Sequence, residues 1–273
     1  MFRPTAKRHT RPSTNGRYAI QRLLLLMLMA VAISPAGALA TAELPFAPGE
    51  RLTFELRWLW IPAGQAVLEV MPATRIDQQE VLHFRLSVRS NEVLDKIYMV
   101  RDRIDAFTDL SLTRSVAYRK KQHEGSTRRD VTVAFDWQNA QARYLTPNEA
   151  RDPISLMPGT LDPLSVFYYS RLFDLSTVSE VLRPITDGKK CVVGIGRVVG
   201  RESIRLSNGM VYDTFCIEPD LKHIGGVFRK SPNARIQLWV TADHRRMPVK
   251  IKSRVVVGSF IGELISAQGL GGG

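Results

Sequence analysis

Hydrophobic and polar residues alternate over long stretches of this chain. From Arg51 to Ile61, leucine, phenylalanine and tryptophan alternate with threonine, glutamate and arginine, and a similar alternation recurs from Val81 to Arg89. It returns near the C-terminus, where Ile236, Leu238 and Val240 share one side of a predicted strand. A period of two residues is typical of a β-strand with one packed face and one wet face. The pattern therefore predicts antiparallel sheet.

Short polar segments separate the alternating stretches and predict turns. Asp243–Arg246 joins the last two long strands, and Asn208-Gly209 is a pair that favours a primed hairpin turn. His123–Ser126 contains a glycine and predicts a further hairpin. About ten twisted antiparallel strands are predicted, and a sheet of that size tends to curl. The expected fold is therefore mainly β, a curved antiparallel sheet or open half-barrel packed around one main helix.

That helix is predicted from Asp162 to Leu175. The Asp162 carboxylate can cap the first free amides, and Pro163 stands where a missing N–H costs nothing. Apolar residues then recur at helical spacing, so one side of the helix is expected to lie on the sheet. We expect Arg171 to pair with a carboxylate. Because a Pro-Gly pair precedes the helix and a Ser-Thr pair follows it, the helix is also predicted to be a removable cover.

The N-terminal region has the order of a secretory signal peptide. It carries 6 Lys and Arg residues and no acids, followed by an apolar run of 11 residues from Leu23 to Ile33 and the small-residue site Ala38-Leu39-Ala40. The run is too short for a helix that spans a bilayer, which needs about 20 residues. We therefore expect cleavage after Ala40 and a periplasmic location.

No linker rich in proline, serine or glycine divides the rest of the chain, so 41–266 is predicted to be a single β-rich domain. Residues 267–273 are predicted to be a flexible glycine-rich tail.

Net charge suggests a class of partner. The formal charge of +12 falls to +6 once the 6 basic residues of the signal region leave. We expect no nucleic-acid partner; a basic exported protein is suited to an anionic membrane surface. The candidate patch for that surface is the hairpin tip with Arg119, Lys120, Lys121, Arg128 and Arg129. The alternative is that these are solvated strand ends.

Two cysteines, Cys191 and Cys216, remain after cleavage. An even pair in an exported protein is usually bridged, whereas the alternative is two separate buried thiols. The sequence leaves both possibilities open, because a bridge needs cross-strand geometry.

Motifs for catalysis or cofactors are not found. The glycines of Gly194–Gly200 lie inside a predicted strand, without the helix that a nucleotide loop requires. The histidines lack the spacing of metal ligands, and Ser259 lacks the G-x-S-x-G order. We therefore expect no metal and no cofactor, and a role other than catalysis is favoured over a hydrolase.

Three groups of fragments carry a family resemblance. They are FAPGERLTFELRWLWIPAGQAVLEV from Phe46, LDPLSVFYYSRLF from Leu161, and IQLWVTADHRRMPVKIKS with GSFIGEL. Their order and spacing resemble exported bacterial proteins grouped as domain of unknown function 3108, and the resemblance covers nearly the whole mature chain. Because that family has no assigned activity, the resemblance implies a fold but no site residues.

A second resemblance is at the level of fold. The order of Trp239, Asp243 and Met247-Pro248 before an outgoing strand is similar to the end of the sheet in outer-membrane lipoprotein carriers. Those carriers are unclosed barrels with helices in the mouth. The resemblance implies a ligand pocket on the concave face, lined by Trp58, Trp60, Phe84, Phe167 and Trp239.

These observations favour a periplasmic binding or carrier protein that holds an acyl chain or other apolar ligand, a lipid or lipoprotein, between sheet and helix. The alternative is an envelope scaffold with a filled core. A cleft of about 300 Å³ or more would favour the ligand, and a filled interior would favour the scaffold.

Overall fold

The computed structural model describes residues 44–220, 234–255 and 258–271. The predicted signal peptide and its cleavage site lie outside the described residues. The elements are β1 (Arg51–Trp58), β2 (Ile61–Ile76), β3 (Gln79–Ser90), α1 (Glu92–Tyr98), β4 (Arg101–Thr108), β5 (Ser115–Glu124), β6 (Thr127–Asp136), β7 (Gln141–Thr146), β8 (Glu149–Ala150), β9 (Ile154–Ser155), α2 (Pro163–Ser170), β10 (Glu180–Thr186), β11 (Cys191–Arg205), β12 (Val211–Pro219), β13 (Arg235–Thr241), β14 (Pro248–Val255) and β15 (Gly258–Gln268).

All the strands belong to one antiparallel sheet. Its order is β10-β11-β12-β13-β14-β15-β1-β2-β3-β4-β5-β6-β7-β8, and β9 pairs with β7. The pairing of β15 with β1 joins the two halves of the chain. The edge strands β10 and β8 do not pair with each other, so the sheet is open and is not closed into a barrel. The prediction of a mainly β, antiparallel fold is confirmed.

The sheet curls toward its inner face. At the β10–β11 turn, a Cβ added to Gly188 would lie 2.7 Å from Cγ2 of Val133 and 3.2 Å from Cδ2 of Tyr144. One edge of the sheet therefore returns to the inner face of β6 and β7. Alternate residues of the strands fill the space enclosed in this way, among them Leu52, Phe54, Leu68, Phe84, Ala106 and Val133. This cluster is the main hydrophobic core.

Helix α2 confirms the predicted start but not the predicted end. The Asp162 carboxylate accepts hydrogen bonds from the amides of Leu164 and Ser165, and Pro163 opens the helix. The helix ends at Ser170 rather than Leu175. After it, Asp174 accepts hydrogen bonds from the amide and hydroxyl of Ser176, and a local turn of this kind competes with helical hydrogen bonds.

The C-terminal boundary also differs from the prediction. Strand β15 continues to Gln268, so the predicted tail begins inside it. Ala267 and Leu270 pack against the main core. Gly269 has φ +61°, and a Cβ there would lie 2.0 Å from the carbonyl oxygen of Gly49. Glycine at this position therefore serves a close backbone approach, which its sequence context of glycines did not indicate.

Candidate functional site

The strand register defines two ends of the sheet. At one end lie the β1–β2 turn, helix α1, the β5–β6 turn and the strand ends Val255 and Gly258, since Trp58 pairs with Ile61 and Phe260, and Val100 with Glu124. We call this end the mouth. At the other end lie Glu50, α2 and Arg171, and we call it the closed end.

A buried ion pair fixes the closed end. Arg171 donates to both carboxylate oxygens of Glu50, at 2.6 and 2.9 Å, and both side chains are 1% exposed. The guanidinium also donates to the carbonyl oxygens of Pro45 and Arg245. It therefore ties the end of α2 to the segment before β1 and to the β13–β14 turn. The expectation that Arg171 pairs with a carboxylate is confirmed.

The start of α2 is held as firmly. Asp162 is fully buried, and the hydroxyls of Ser115 and Ser165 each donate to it at 2.6 Å. Burial raises the pKa of Asp162, while these hydrogen bonds act in the opposite direction. Between the two anchors, the ring of Tyr168 stacks on Phe84 with centroids 4.0 Å apart. The helix is thus a fixed plug. Lifting the helix would leave Glu50 buried without its partner, so these contacts argue against the prediction that it is a removable cover, and hydrogen exchange tests that prediction.

A cavity of about 300 Å³ lies at the mouth. Its walls come from β14, β15, β1, β2, β3 and α1. The lining residues are mainly apolar; the large ones are Leu56, Val88, Leu94, Val100, Ile251, Phe260 and Ile261. The Cβ that Gly262 lacks would lie 2.9 Å from Cγ2 of Ile251 and 3.2 Å from Cδ2 of Leu56. The absence of a side chain at Gly262 therefore leaves room in this cavity.

Helix α1 crosses the mouth between two anchors. At its start, the amide of Asn91 donates to the carbonyl of Ala63, and the Asn91 side chain caps the helix. At its end, the amide of Gly125 donates to the carbonyl of Met99 at 2.7 Å, and the Tyr98 ring lies against Gly125. Leu94 points toward the cavity and helps to line it. No residue of α1 is buried, in contrast to α2.

Large apolar side chains stand in solvent around the mouth. Trp60 in the β1–β2 turn is 81% exposed, and on α1 Val93 and Ile97 are 69% and 82% exposed. Tyr98 is half-exposed. We call these four residues the rim. Exposed apolar residues are ordinary when scattered, but a group beside an apolar cavity points to a binding site.

The mouth also has a polar side. Val88 of the cavity pairs with Asp102, whose carboxylate accepts a hydrogen bond from Gln122 at 3.2 Å, and Gln122 pairs with Arg129. The neighbouring inner-face residues on β3 to β6 therefore change from apolar Val88 to polar Asp102, Gln122 and Arg129, on strands spaced about 4.8 Å apart. In the next row of the inner face, Leu86 pairs with Ile104, and Ile104 pairs with Lys120.

Three basic residues gather on this polar side. Burial, and then the charges of Arg129 and Lys189, lower the pKa of Lys120. The ammonium of Lys189 lies 5.2 Å from the centroid of Tyr144, which is part of the inner core. Asp102 and Asp187 oppose these charges electrostatically. In the described part of the chain, none of the three cations forms an ion pair within 4.0 Å.

The register divides the predicted basic patch between the two faces of the sheet. Lys120 pairs with Ile104 and Arg129 pairs with Gln122, so both lie on the inner face. Arg119, Lys121 and Arg128 alternate with them and lie on the outer face. The Arg119 guanidinium lies over the ring of Phe107 there. The five residues are therefore two groups with different surroundings.

The five aromatic residues predicted to line one pocket lie in three places. Trp58 stacks on Phe260, a residue of the cavity wall, with centroids 6.4 Å apart, and Trp60 is on the rim. Phe84 and Phe167 pack in the core beside Tyr168. They fill the interior at the closed end and do not line the mouth cavity.

Trp239 lies on the opposite face of the sheet from the cavity. It pairs with Lys250, whereas its neighbour Leu238 pairs with the cavity residue Ile251. The β11–β12 hairpin folds over this outer face, where the Trp239 indole donates to Glu202 at 2.7 Å and Ser207 donates to Glu263. The prediction that Trp239 faces the ligand pocket is wrong, because a long hairpin covers it from the other side.

The structure contradicts a disulfide between Cys191 and Cys216, and both are free thiols. Cys216 pairs with Gly200 across β11 and β12, while Cys191 begins β11 and pairs with Thr186. Gly200 lies nine residue steps along the strand from Cys191, a length on the order of 30 Å. A disulfide needs Cα atoms within about 7 Å. Burial raises the pKa of the Cys216 thiol to about 11.

Within 44–220, 234–255 and 258–271, no cluster of three or more His, Cys, Asp or Glu side chains has the geometry to hold a metal ion. In the same ranges, neither helix is long and apolar enough to cross a membrane.

Comparison with known proteins then places the fold. The family model described as "Protein of unknown function (DUF3108)" matches residues 53–265. The chain belongs to the DUF3108 family. The resemblance of its sequence fragments to that family is thereby confirmed. No curated protein matches this DUF3108 chain significantly.

A solved structure is similar to this DUF3108 domain in fold. It is the crystal structure of a beta-barrel-like protein of domain of unknown function DUF1849 from Brucella abortus. The two chains are 11% identical with a TM-score of 0.50, and the similarity covers 81% of this chain and 97% of that chain. At this identity the similarity concerns the fold alone.

Proposed function

We propose that the mouth of this protein binds the acyl chain of an amphiphilic lipid or lipoprotein. The observation that carries the proposal is the apolar cavity of about 300 Å³ between β1, β15 and α1. That volume lies at the lower limit for small-molecule pockets, which suits one chain better than a bulky ring system. Each methylene moved from water into the cavity contributes about 0.8 kcal/mol.

The polar side of the mouth suits a charged head group. A chain bound beside Val88 has its polar end within about 10–15 Å of Lys120 and Arg129, given two or three strand spacings. An anionic head there would offset the mutual repulsion of Lys120, Arg129 and Lys189. We therefore propose an anionic amphiphile, such as a fatty acid or a phospholipid, as the ligand class.

Export to the periplasm is part of the same proposal. The basic region, the short apolar run and the Ala38-Leu39-Ala40 site support it, and acyl chains of envelope lipids are the ligands available there. The filled closed end supports the scaffold alternative for that half of the molecule only, since the cavity at the mouth reaches the volume that separates the two hypotheses.

The test is a substitution in the cavity wall that fills the cavity with a larger side chain. Val88→Trp adds an indole on the inner face, whereas Ser87→Trp adds the same group on the outer face of the same strand. Binding of a fluorescent fatty acid is measured by titration with each variant. We expect Val88→Trp to weaken binding at least tenfold and Ser87→Trp to leave it within twofold.

Circular dichroism and thermal unfolding show whether each variant is folded. A folded Val88→Trp variant that binds like the parent would contradict the location of the site. A parent protein that takes up no acyl probe would contradict the function, and the scaffold hypothesis would replace it. A methyl ester that binds as tightly as the free acid would contradict the anionic head group only.

A further inference from the structure

The side chains of the rim are large and apolar and yet are largely exposed to solvent, a combination that is uncommon on a free protein surface. Trp60 and Ile97 are more than four-fifths exposed, and Val93 lies one helical turn before Ile97 on the same side of α1. The core of the protein gains nothing from these side chains, because α1 has no buried residue. Large exposed apolar groups of this kind mark surfaces that contact another apolar phase.

Basic residues surround the rim. Arg89, Lys96, Arg128 and Arg254 are exposed at this end of the sheet, and in the described part of the chain none of them forms an ion pair. Nearby carboxylates are mostly engaged: Asp95 pairs with Arg101, and Asp102 accepts from Gln122 and from the amide of His123. Glu92 is the acidic residue of α1 that faces solvent. The surroundings of the rim are therefore predominantly positive.

We propose that the rim docks onto a lipid bilayer whose surface carries anionic head groups. Tryptophan and tyrosine favour the interface between head groups and acyl chains, so Trp60 and Tyr98 suit that depth, with Val93 and Ile97 beside them. The four basic residues then meet anionic lipids, an attraction worth about 1 kcal/mol for each residue near the surface. Arg119 extends the positive surface along the outer face, where Lys121 pairs with Asp130.

Docking at the rim would serve the transfer of an acyl chain into the cavity, and in that respect the inference rests on the proposed function. Leu94 lines the cavity while Val93 and Ile97 of the same helix face outward. Docking at the rim therefore places the cavity opening against the bilayer, and an acyl chain can pass between the two without crossing bulk water. Helix α1 is anchored at Asn91 and Met99, so the rim is formed before docking and little ordering is required.

The experiment is flotation of the full chain with vesicles of phosphatidylethanolamine and phosphatidylglycerol, compared with phosphatidylcholine alone. The rim variant is Trp60→Ser combined with Ile97→Ser. Its control is Leu110→Ser, since Leu110 is half-exposed in the β4–β5 connection at the closed end. We expect the rim variant to lose at least tenfold in vesicle affinity and the control less than twofold. Lys96→Gln with Arg128→Gln should lose about tenfold on anionic vesicles at low salt, and much less at high salt.

The outcomes separate the two proposals. Docking is supported if the rim variant loses vesicle binding but still takes up a soluble fluorescent fatty acid, because the cavity wall is unchanged. It is overturned if the rim variant floats with vesicles as the parent does. It is also overturned if the parent ignores vesicles and sediments as a dimer that Trp60→Ser dissociates, since a second copy then covers the rim. Vesicle binding without acyl uptake would contradict the proposed cavity function and leave the docking surface standing.

Discussion

The closed end and the mouth are built on the same strands but are completed in opposite ways. At the closed end α2 is held by a buried Arg171–Glu50 pair and a fully hydrogen-bonded Asp162. At the mouth α1 is held by backbone hydrogen bonds at its two ends and by the Asp95–Arg101 ion pair, and Val93 and Ile97 face solvent while Leu94 lines the cavity. Below it lies a cavity instead of a packed aromatic cluster.

This difference teaches which half of the fold provides stability and which half can change. A buried charge pair is costly to break, because one partner is left unpaired in a medium of low polarity. A short helix without buried side chains opens at low cost. The predictions below test that division, from the largest expected effect to the smallest.

Breaking the ion pair at the closed end should have the largest effect on stability. Arg171→Met leaves Glu50 buried and unpaired, and we expect it to lower the free energy of unfolding by about 3–5 kcal/mol. Adding Glu50→Leu should recover much of that loss, because the unpaired charge is then removed. Urea unfolding followed by circular dichroism gives both values.

The matched control is Arg201→Met, which breaks the exposed pair with Asp213 on the outer hairpin. We expect no measurable change there, because solvent screens the pair. Equal losses at the two positions would contradict the account of the closed end.

A carboxylate on the outer face should make stability depend on pH. Although burial acts to raise the pKa of Asp105, hydrogen bonds from His83, Arg103 and Arg85 outweigh it and hold the pKa well below its usual range. A lowered folded-state pKa stabilises the fold above the unfolded value of about 3.9, and the contribution is lost as pH falls through the folded pKa.

Asp105→Asn should therefore lower the free energy of unfolding by about 2 kcal/mol at pH 7. The gap between parent and variant should begin to narrow below about pH 4, because the Asp105 carboxylate of the unfolded parent, with its ordinary pKa, takes up a proton there before the folded one does. Unfolding curves at pH 7 and pH 3 measure it. A gap that stays constant over this range would mean that the Asp105 charge is not what stabilises the native protein.

Hydrogen exchange should show stronger protection of the backbone amides in α2 than in α1. We expect amides of α2 to exchange only through global unfolding, and amides of α1 to exchange through a local opening that costs several kcal/mol less. Exchange read by mass spectrometry on peptides covering Glu92–Tyr98 and Pro163–Ser170 decides this. Equal protection in the two peptides would contradict the division between a firmly held α2 and an α1 that opens locally.

The sequence predicted the strands well because alternation is a local property. Leu52, Phe54 and Leu56 follow one another on the inner face as their pattern indicates, and Asp162 caps α2 as its place before Pro163 indicates. Apart from the end of α2, where a local turn at Asp174–Ser176 follows the helix, the wrong predictions depend on contacts between distant segments. The resemblance to lipoprotein carriers placed Trp239 in the pocket, whereas Trp239 lies on the other face of its strand from Leu238 and is covered there by the β11–β12 hairpin.

The site itself was missed for the same reason. The sequence pattern from Asn91 to Ile97 predicts only a short helix or turn, because seven residues carry little periodicity. An available signal was the pair Val93 and Ile97 just after a capping Asn91, apolar residues in a segment too short to form a core. The cavity wall at Gly262 could not be predicted, because it depends on which side chains of β1 and β14 lie opposite the glycine.

The most direct test of the central claim is to locate a bound chain within the molecule. The protein is labelled with ¹³C at Ile, Leu and Val methyl groups and titrated with a fatty acid that carries a nitroxide near the chain end. We predict that the methyl signals of Leu56, Val88 and Ile251 at the mouth broaden, while those of Leu112, Leu161 and Leu164 at the closed end stay sharp. Broadening confined to the closed end, or none at any ligand concentration, would contradict the account.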